Sequence, residues 1–376
     1  MKKMIKLSLV AAVAVAGLTT TATAGSLEDS IKDTTLKGQV TVGFQNNDYD
    51  NAGVADKNQW EYDVDATFTT KVNDMVTSTV GFQADNDIRI DDSAQTTDNQ
   101  GKASVSGVNL TKAYFTIKTS AVTAMVGKQK IGTPFYDDER ADGIVALVPA
   151  GPVTLAAAHF TNANSGDLST EDINAVALLG KFGPASVAAW YVDSMVADAY
   201  SVNVKAKVGP ASVEFNHAAA ELDTAGAKTE SLTKLVASVK AGPATVVAAY
   251  AMTNDKDGST ARAHGVDMTG DHDAKANFAG KVIHLDDLDD AKAWLIGGSM
   301  KVAGATVGAH YISATSDKTT GSNTDATELA VTAKYSMSKN FSVNAYMAKY
   351  DAENATTGAT DNSANTETQI NLSYKF

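Results

Sequence analysis

Cysteine is absent from the 376 residues, and proline occurs only six times. A chain without cysteine has no disulfides to lean on, so its stability has to come from burial and backbone pairing. Scarce proline leaves room for long hydrogen-bonded strands, because each proline removes a ladder donor. Long apolar runs are missing too. After Gly25 nothing approaches the ~18 consecutive apolar residues of a spanning helix, so a membrane protein made from this chain has to close its backbone hydrogen bonds as a barrel. Positive charge is in deficit, with 31 Lys and Arg against 44 Asp and Glu and a net charge of −13. That balance argues against nucleic acid as a partner and against attraction to anionic lipid, and suits a passage that favours cations. No nucleophile elbow frames the serines, and the 28 glycines are spread over turns and strands rather than gathered in a phosphate-cradling loop. An enzyme is therefore not expected, and no catalytic residue is assigned.

What is present begins with an export signal. Lys2, Lys3 and Lys6 form a positive n-region, Leu7 to Leu18 a short apolar stretch, and Ala22-Thr23-Ala24 a small-residue cleavage site. The expectation is a cleaved signal peptide over 1–24 and a single barrel domain over 25–376. At the other end Glu367, Gln369, Asn371, Ser373 and Lys375 alternate with Ile370, Leu372, Tyr374 and Phe376. One face of that strand is wet and the other apolar, and the chain stops on an aromatic residue. Export plus this terminal strand predicts an all-β fold: a closed antiparallel transmembrane β-barrel in a bacterial outer membrane, with outer-membrane lipid as its surroundings.

Turns give the strand count. Ala150-Gly151-Pro152, Phe182-Gly183-Pro184, Val208-Gly209-Pro210, Ala241-Gly242-Pro243 and the looser Ala303-Gly304 each mark a two-residue hairpin turn. The two prolines outside these turns, Pro134 and Pro149, are also expected outside strand interiors. Further short turns are predicted at Asn73-Asp74, Thr119-Ser120 and Ser336 to Asn340. Eight turns and two terminal strands make about 18 strands, with 16 as the alternative, and put both termini at the short-turn, periplasmic end. The opposite connections are longer and polar: 86–108, 131–143, 162–170, 254–290, 316–324 and 351–365. Leu36 to Gln45, Trp60 to Val72 and Tyr200 to Val208 alternate cleanly. Val153 to Phe160 and Val187 to Val192 are apolar on both faces, and Val122 to Lys130 would aim Lys128 at lipid if alternation holds. Trp60, Trp190 and Trp294 are expected in aromatic girdles at the two interfaces.

A barrel of ~16–18 strands encloses water rather than its own side chains. The wet faces of the clean strands place Lys37, Glu61, Asp63, Asp65, Lys205 and Lys207 in the lumen, where small hydrophilic solutes and ions would pass. The candidate constriction is the third loop, 131–143, folded inward, with Asp137, Asp138, Glu139, Arg140 and Asp142 setting a negative field and a weak cation preference. On the longest external loop Asp271, His272 and Asp273, with His264, Asp267, His284, Asp286, Asp287, Asp289 and Asp290 nearby, are weak metal candidates. The spacing fits no tight ligand motif; no cofactor is expected, bound Ca²⁺ is the minor alternative, and a hydrated acidic loop is the favoured reading. Asp286 to Leu295 has the pattern of a short helix. Two other classes compete with a general-diffusion porin: a surface adhesin or structural barrel with a plugged lumen, and a soluble exported β-sandwich or fibre subunit.

The chain resembles the Campylobacter-type major outer membrane proteins, a porin family. The likeness lies in Lys6-Leu7-Ser8-Leu9-Val10-Ala11-Ala12, in Leu27-Glu28-Asp29-Ser30-Ile31-Lys32-Asp33, in Val126-Gly127-Lys128-Gln129 with Asp142-Gly143-Ile144-Val145 around the third loop, and in Tyr374-Lys375-Phe376. The resemblance implies an eighteen-stranded homotrimeric general-diffusion porin whose third loop narrows the pore. It also implies that the terminal strand, with Ile370, Leu372, Tyr374 and Phe376, is read by the barrel assembly machinery. Shorter length and the repeated Gly-Pro turns set this chain apart from the family pattern.

Overall fold

The structure, a computed structural model, describes residues 32–49, 56–91, 108–136, 139–161, 172–194, 197–223, 229–254, 268, 274–288, 290–316, 324–354 and 366–376. These residues form eighteen strands: β1 (Thr34–Asp48), β2 (Lys57–Lys71), β3 (Val76–Asp91), β4 (Asn109–Lys118), β5 (Thr123–Lys130), β6 (Arg140–Ala150), β7 (Val153–Thr161), β8 (Ile173–Phe182), β9 (Ala185–Asp193), β10 (Ala197–Val208), β11 (Ala211–Leu222), β12 (Glu230–Ala241), β13 (Ala244–Thr253), β14 (Ala291–Val302), β15 (Ala305–Ser316), β16 (Thr324–Ser336), β17 (Phe341–Asn354) and β18 (Thr366–Lys375). Each pairs antiparallel with its sequence neighbours, and β1 pairs with β18 from Gln39↔Lys375 to Asp48↔Thr366. The ring is closed. Phe376 adds a last reciprocal pair of backbone bonds with Gly38, both 3.0 Å. Closure satisfies every strand edge from within the sheet, the condition for crossing a bilayer with strands.

The eight short turns fall where the sequence places them. At Gly151, Gly183, Gly209 and Gly242 φ lies between 59° and 63°. The following proline holds the second turn residue at negative φ, and the combination is a type II′ turn, whose twist matches that of the paired strands. At Ala303 and Gly304 both angles are positive, 49° and 85°, as in type I′. Asn73 accepts from the amides of Met75 and Val76, both at 2.9 Å, and Thr119 does the same for Ala121 and Val122 at 3.2 and 3.1 Å. These side-chain caps replace the glycine and proline that the two turns lack.

Register divides the side chains between two environments. Leu36, Trp60, Tyr62, Val64, Phe68, Phe115, Leu155, Tyr200, Phe215, Tyr250, Trp294, Ile296, Leu329, Tyr335, Ile370, Leu372, Tyr374 and Phe376 are all exposed on the outer face. A continuous apolar skin of this kind is what hydrocarbon requires. Phe44 packs at a tilt against Trp60 at 5.0 Å and Trp294 against Tyr311 at 5.3 Å, both towards the long-loop end. Trp190 departs from the girdle expectation. It shares a face with buried Val192, opposite exposed Tyr191, and lines the lumen beside the third loop.

The strands settle three local expectations and correct one of them. Pro149 is the penultimate residue of β6, paired with Thr154, and so lies outside the strand interior; at a strand end a missing donor costs little. The third loop is shorter than 131–143, because Arg140 to Gly143 pair with β5 as part of β6. In β5 the pairing runs through Gly127 (φ 125°) without a slip, so Lys128 stays on the face of Val126, in register with Asp142. It lies close to the long-loop rim, where a lysine reaches the interface. The one irregularity is in β4: Thr111 is an extra residue between Leu110, paired with Phe82, and Lys112, paired with Gly81. This bulge lets both neighbours keep their faces.

Candidate functional site

Inside the ring the wall has two tiers. Towards the short-turn end it is polar. Ser201, Asn203, Lys205 and Lys207 of β10 face the lumen with Ser212, Glu214 and Asn216 of β11, because Tyr200, Val202 and Phe215 on the alternate positions are exposed outside. Lys205 bridges Glu214 at 3.1 Å, and Asn203 donates to the same carboxylate at 2.8 Å. Lys181, Lys205, Lys207, Ser186, Ser212 and Ser238 surround a cavity of about 510 Å³. In a ring of eighteen, β11 lies nine strands from β2, hence across the barrel. There Glu61, Asp63 and Asp65 form a row opposite outward Tyr62 and Val64, and Gln83 donates to Asp63 at 3.3 Å. Lys37 of β1 pairs with Thr67 on the same inner face. Next to them Lys112 donates to Thr67 at 3.1 Å. The lumen thus has an acidic side and a predominantly basic side.

Towards the long-loop end much of the inner wall from β10 to β17 is alanine. Ala197 and Ala199 of β10, Ala218 and Ala220 of β11, Ala249 and Ala251 of β13, and Ala291 and Ala293 of β14 are all buried. What buries them comes from two loops. The third loop inserts Ile131, Phe135 and Tyr136, each at most 1% exposed, against Phe160, Ile173, Ala175 and Val192. This contact explains why β7 and β9 are apolar on both faces: one faces outward and the other carries the loop. Cavities of about 260 and 370 Å³ remain beside Gly132 and Thr133, lined by Trp190, Leu179 and neighbouring wall residues.

The second inward element is residues 274–288. Its sequence predicts a hydrated external loop, but Ala276, Phe278, Ile283 and Leu285 are buried in the same cluster, and Asp286 is 1% exposed. Its apolar residues outweigh its charges once a wall of small side chains offers them a surface. Asn277 organises the segment: its amide donates to Asp286 at 2.5 Å and its oxygen accepts from the amides of Phe278 and Asp286. The helix expected from Asp286 to Leu295 reduces to one 3₁₀ turn, Leu285–Asp287, because β14 begins at Ala291. The two inward elements bond to each other, Ala276 N to Pro134 O at 3.0 Å, and Met268, ahead of the second element, donates its amide to Phe135 O at 2.9 Å.

Wall side chains hold this segment. Glu328 of β16, fully buried, accepts from the amides of Lys281 (2.8 and 3.0 Å), Val282 (2.8 Å) and Ile283 (2.9 Å), and is 2.6 Å from His310 Nε2. Lys234 of β12 donates to the carbonyls of Lys275 (2.8 Å) and Asn277 (2.6 Å). Lys281 in turn lies 4.5 Å over the Tyr346 ring, whose hydroxyl donates to Glu367. Sequence reasoning does not find Glu328, His310 or Lys234. Each reads as one more polar residue on an alternating strand, and Glu328 and Lys234 take backbone partners, which no side-chain pattern announces.

Of the five constriction candidates, Glu139 lies in the described part of the third loop, where its carbonyl accepts from Ile131 N at 2.8 Å. Asp137 and Asp138 lie outside the described residues. Arg140 and Asp142 are in β6, on the face opposite Ala141, which is buried in the inner cluster. Asp271, His272 and Asp273, together with His264, Asp267 and Asp289, also lie outside the described residues. Among the described residues no three metal-ligating side chains converge.

Comparison with known structures finds the same barrel in several outer-membrane proteins. OccAB1 of Acinetobacter baumannii superposes with a TM-score of 0.70 over 95% of this chain and 99% of its own, at 14% identity. A BenF-like porin from Pseudomonas fluorescens Pf-5 gives 0.69 over 92% and 99%, at 15% identity, and OprD of Pseudomonas aeruginosa 0.66 over 92% and 93%, at 14%. At such identities the likeness is one of fold. No curated protein sequence matches the chain. From the N-terminus to the penultimate residue of β8, residues 1–181 match the Campylobacter major outer membrane protein family, and with its closed eighteen-stranded ring the chain is an outer-membrane β-barrel of the porin architecture.

Proposed function

We propose that this barrel is a general-diffusion porin that passes small hydrophilic solutes and ions, with a weak preference for cations. The observation that carries the reading is the inner face of the short-turn tier, which is lined by charged and hydroxyl side chains around open space while the outer face is apolar. A ring this wide is not filled by its own side chains. The third loop and residues 274–288 narrow it at the long-loop end. Solutes meet Glu61, Asp63 and Asp65 on one side in the long-loop half of the ring, and Lys181, Lys205 and Lys207 on the other side nearer the short turns. Such a charge-separated passage orients dipolar solutes and exchanges their lost hydration for wall contacts. The preference for cations rests on the net charge of −13 and the acidic row, and stays weak because the lysine side opposes it.

The same reading includes export by the 1–24 signal, recognition of the terminal strand by the barrel assembly machinery, and assembly as a homotrimer, as the family resemblance implies. In planar bilayers the purified protein should give stepwise conductance and, in a salt gradient, a reversal potential of cation sign. A silent bilayer sinks the porin reading, and a clear anion preference sinks the selectivity.

A further inference from the structure

We infer that Glu328 and Lys234 form a two-ended clamp that holds residues 274–283 against the lumen wall between β12 and β16, and that this clamp, rather than the third loop alone, sets the bore of the pore. The inference rests on the porin reading for its functional consequence, but its structural core does not.

Backbone amides and carbonyls need opposite partners, and the wall supplies one charge for each. A carboxylate only accepts and an ammonium only donates. Glu328 takes the amides of residues 281–283, and Lys234 takes the carbonyls of residues 275 and 277. The two grips stand on β16 and β12, four strands apart, or roughly 19 Å along the wall at the usual spacing. From Asn277 to Lys281 the chain takes four Cα steps, at most about 14 Å, and the two side chains cover the remainder, so the peptide is held as an added layer on the inner wall between the two grips. Gly280 lies against the Glu328 carboxylate where a side chain would collide, which lets the backbone come this close. Glu328 has no exposure and is surrounded by donors, with His310 completing the set. Charged groups held this way are costly to leave half-paired, so removing either end loosens the segment. Burial of Phe278, Ile283 and Leu285 and the bond from Asn216 to the Ala276 carbonyl keep it near the wall, and the two charged grips fix how closely its backbone is drawn in.

The test uses the full-length barrel in planar bilayers with Glu328→Ala, Glu328→Gln and Lys234→Met. Each should raise single-channel conductance by about twofold and admit larger neutral polyethylene glycols, since conductance follows the cross-section the segment vacates. Conductance is measured only on protein that migrates as the compact, heat-modifiable barrel, and Lys234→Met supplies a second route where the Glu328 variants fail to assemble. In a barrel carrying Gly280→Cys and Glu328→Cys together, joining the two thiols with a short cross-linker should return the raised conductance to the wild-type value. A second readout needs no current. Ala276 is fully buried in the native barrel, so the thiol of an Ala276→Cys variant should react slowly with an impermeant maleimide, and at least tenfold faster once Glu328→Ala is added. Folded variants with wild-type conductance, or a thiol at position 276 that stays protected despite the lost carboxylate, overturn the clamp. Silence of the wild-type barrel alongside accelerated labelling would overturn the porin reading and leave the clamp standing.

Discussion

Ile370 and Asn371 are adjacent in β18, and the register assigns them to opposite solvents. Ile370 is the fifth of ten residues in the strand, so it lies near the bilayer midplane; it is paired with Phe44 and Ala345 and is 40% exposed on the outer face. Replacing it with lysine puts a charge in hydrocarbon at a cost of about 2–4 kcal/mol. Since each 1.36 kcal/mol is a factor of ten, the folding equilibrium should shift by roughly 30- to 1,000-fold. Asn371→Lys also introduces a lysine, but the partners of Asn371, Gly43 and Asn344, lie on the inner face, and the ammonium is delivered to water. Its cost should fall below about 1 kcal/mol, the range of ordinary solvated substitutions. Urea unfolding of the barrel in lipid vesicles, followed by tryptophan emission and by heat-modifiable mobility, separates the two. Equal penalties, or a larger one for Asn371→Lys, would mean that the strand is turned the other way, and the assignment of skin and lumen would fail with it.

Charge substitutions address the lumen. Glu61→Gln, Asp63→Asn and Asp65→Asn together should move the bilayer reversal potential towards anions, while Lys205→Glu with Lys207→Glu should move it towards cations; shifts of the same sign would refute the opposed-wall arrangement. The hairpin turns can be tested on stability. Gly209, at φ 60°, should cost about 1–2 kcal/mol on changing to alanine, whereas Ala303, already strained at φ 49°, should gain up to about 1 kcal/mol on changing to glycine. Urea midpoints moving in the same direction for both would show that the turns do not depend on left-handed backbone.

The shell of this protein is written locally, and for that reason it could be read. A Gly-Pro pair specifies a type II′ turn within four residues, and an alternating run such as Glu61 to Phe68 specifies both faces of a strand from a two-residue period. Closure follows from counting, because Leu36 to Asn46 and Thr366 to Phe376 can each find a second partner only in the other. The interior is written non-locally. Lys234 meets carbonyls some forty residues away and Glu328 meets amides nearly fifty residues away, and backbone partners leave no mark in composition. The long loops mislead for a related reason. Residues 274–288 carry Lys275, Lys281, Asp286 and Asp287 and read as solvated, yet the same stretch includes Phe278, Ile283 and Leu285, which decide its place once a wall of alanines is available.

That wall was nonetheless visible as an anomaly. In a water-filled barrel an inward position that is apolar wastes a chance for hydration, so a strand apolar on both faces has to be covered from inside. Phe160 and Val192 are such positions, and the structure covers them with Ile131, Phe135 and Tyr136. The small residues say more. Ala197, Ala199, Ala218, Ala220, Ala249, Ala251, Ala291 and Ala293 sit at the long-loop ends of β10, β11, β13 and β14, and Ala314, Ala326 and Ala352 continue the row on β15, β16 and β17. Alanine there leaves space without offering hydrogen bonds, and that space is of use only to an apolar chain segment. Failure of the alternation therefore marks where a loop lands, and the size of the residues marks how much of it fits. On this argument the breadth of the alanine tier, from β10 round to β17, required a second inward segment beyond the third loop, and residues 274–288 are the segment that fills it.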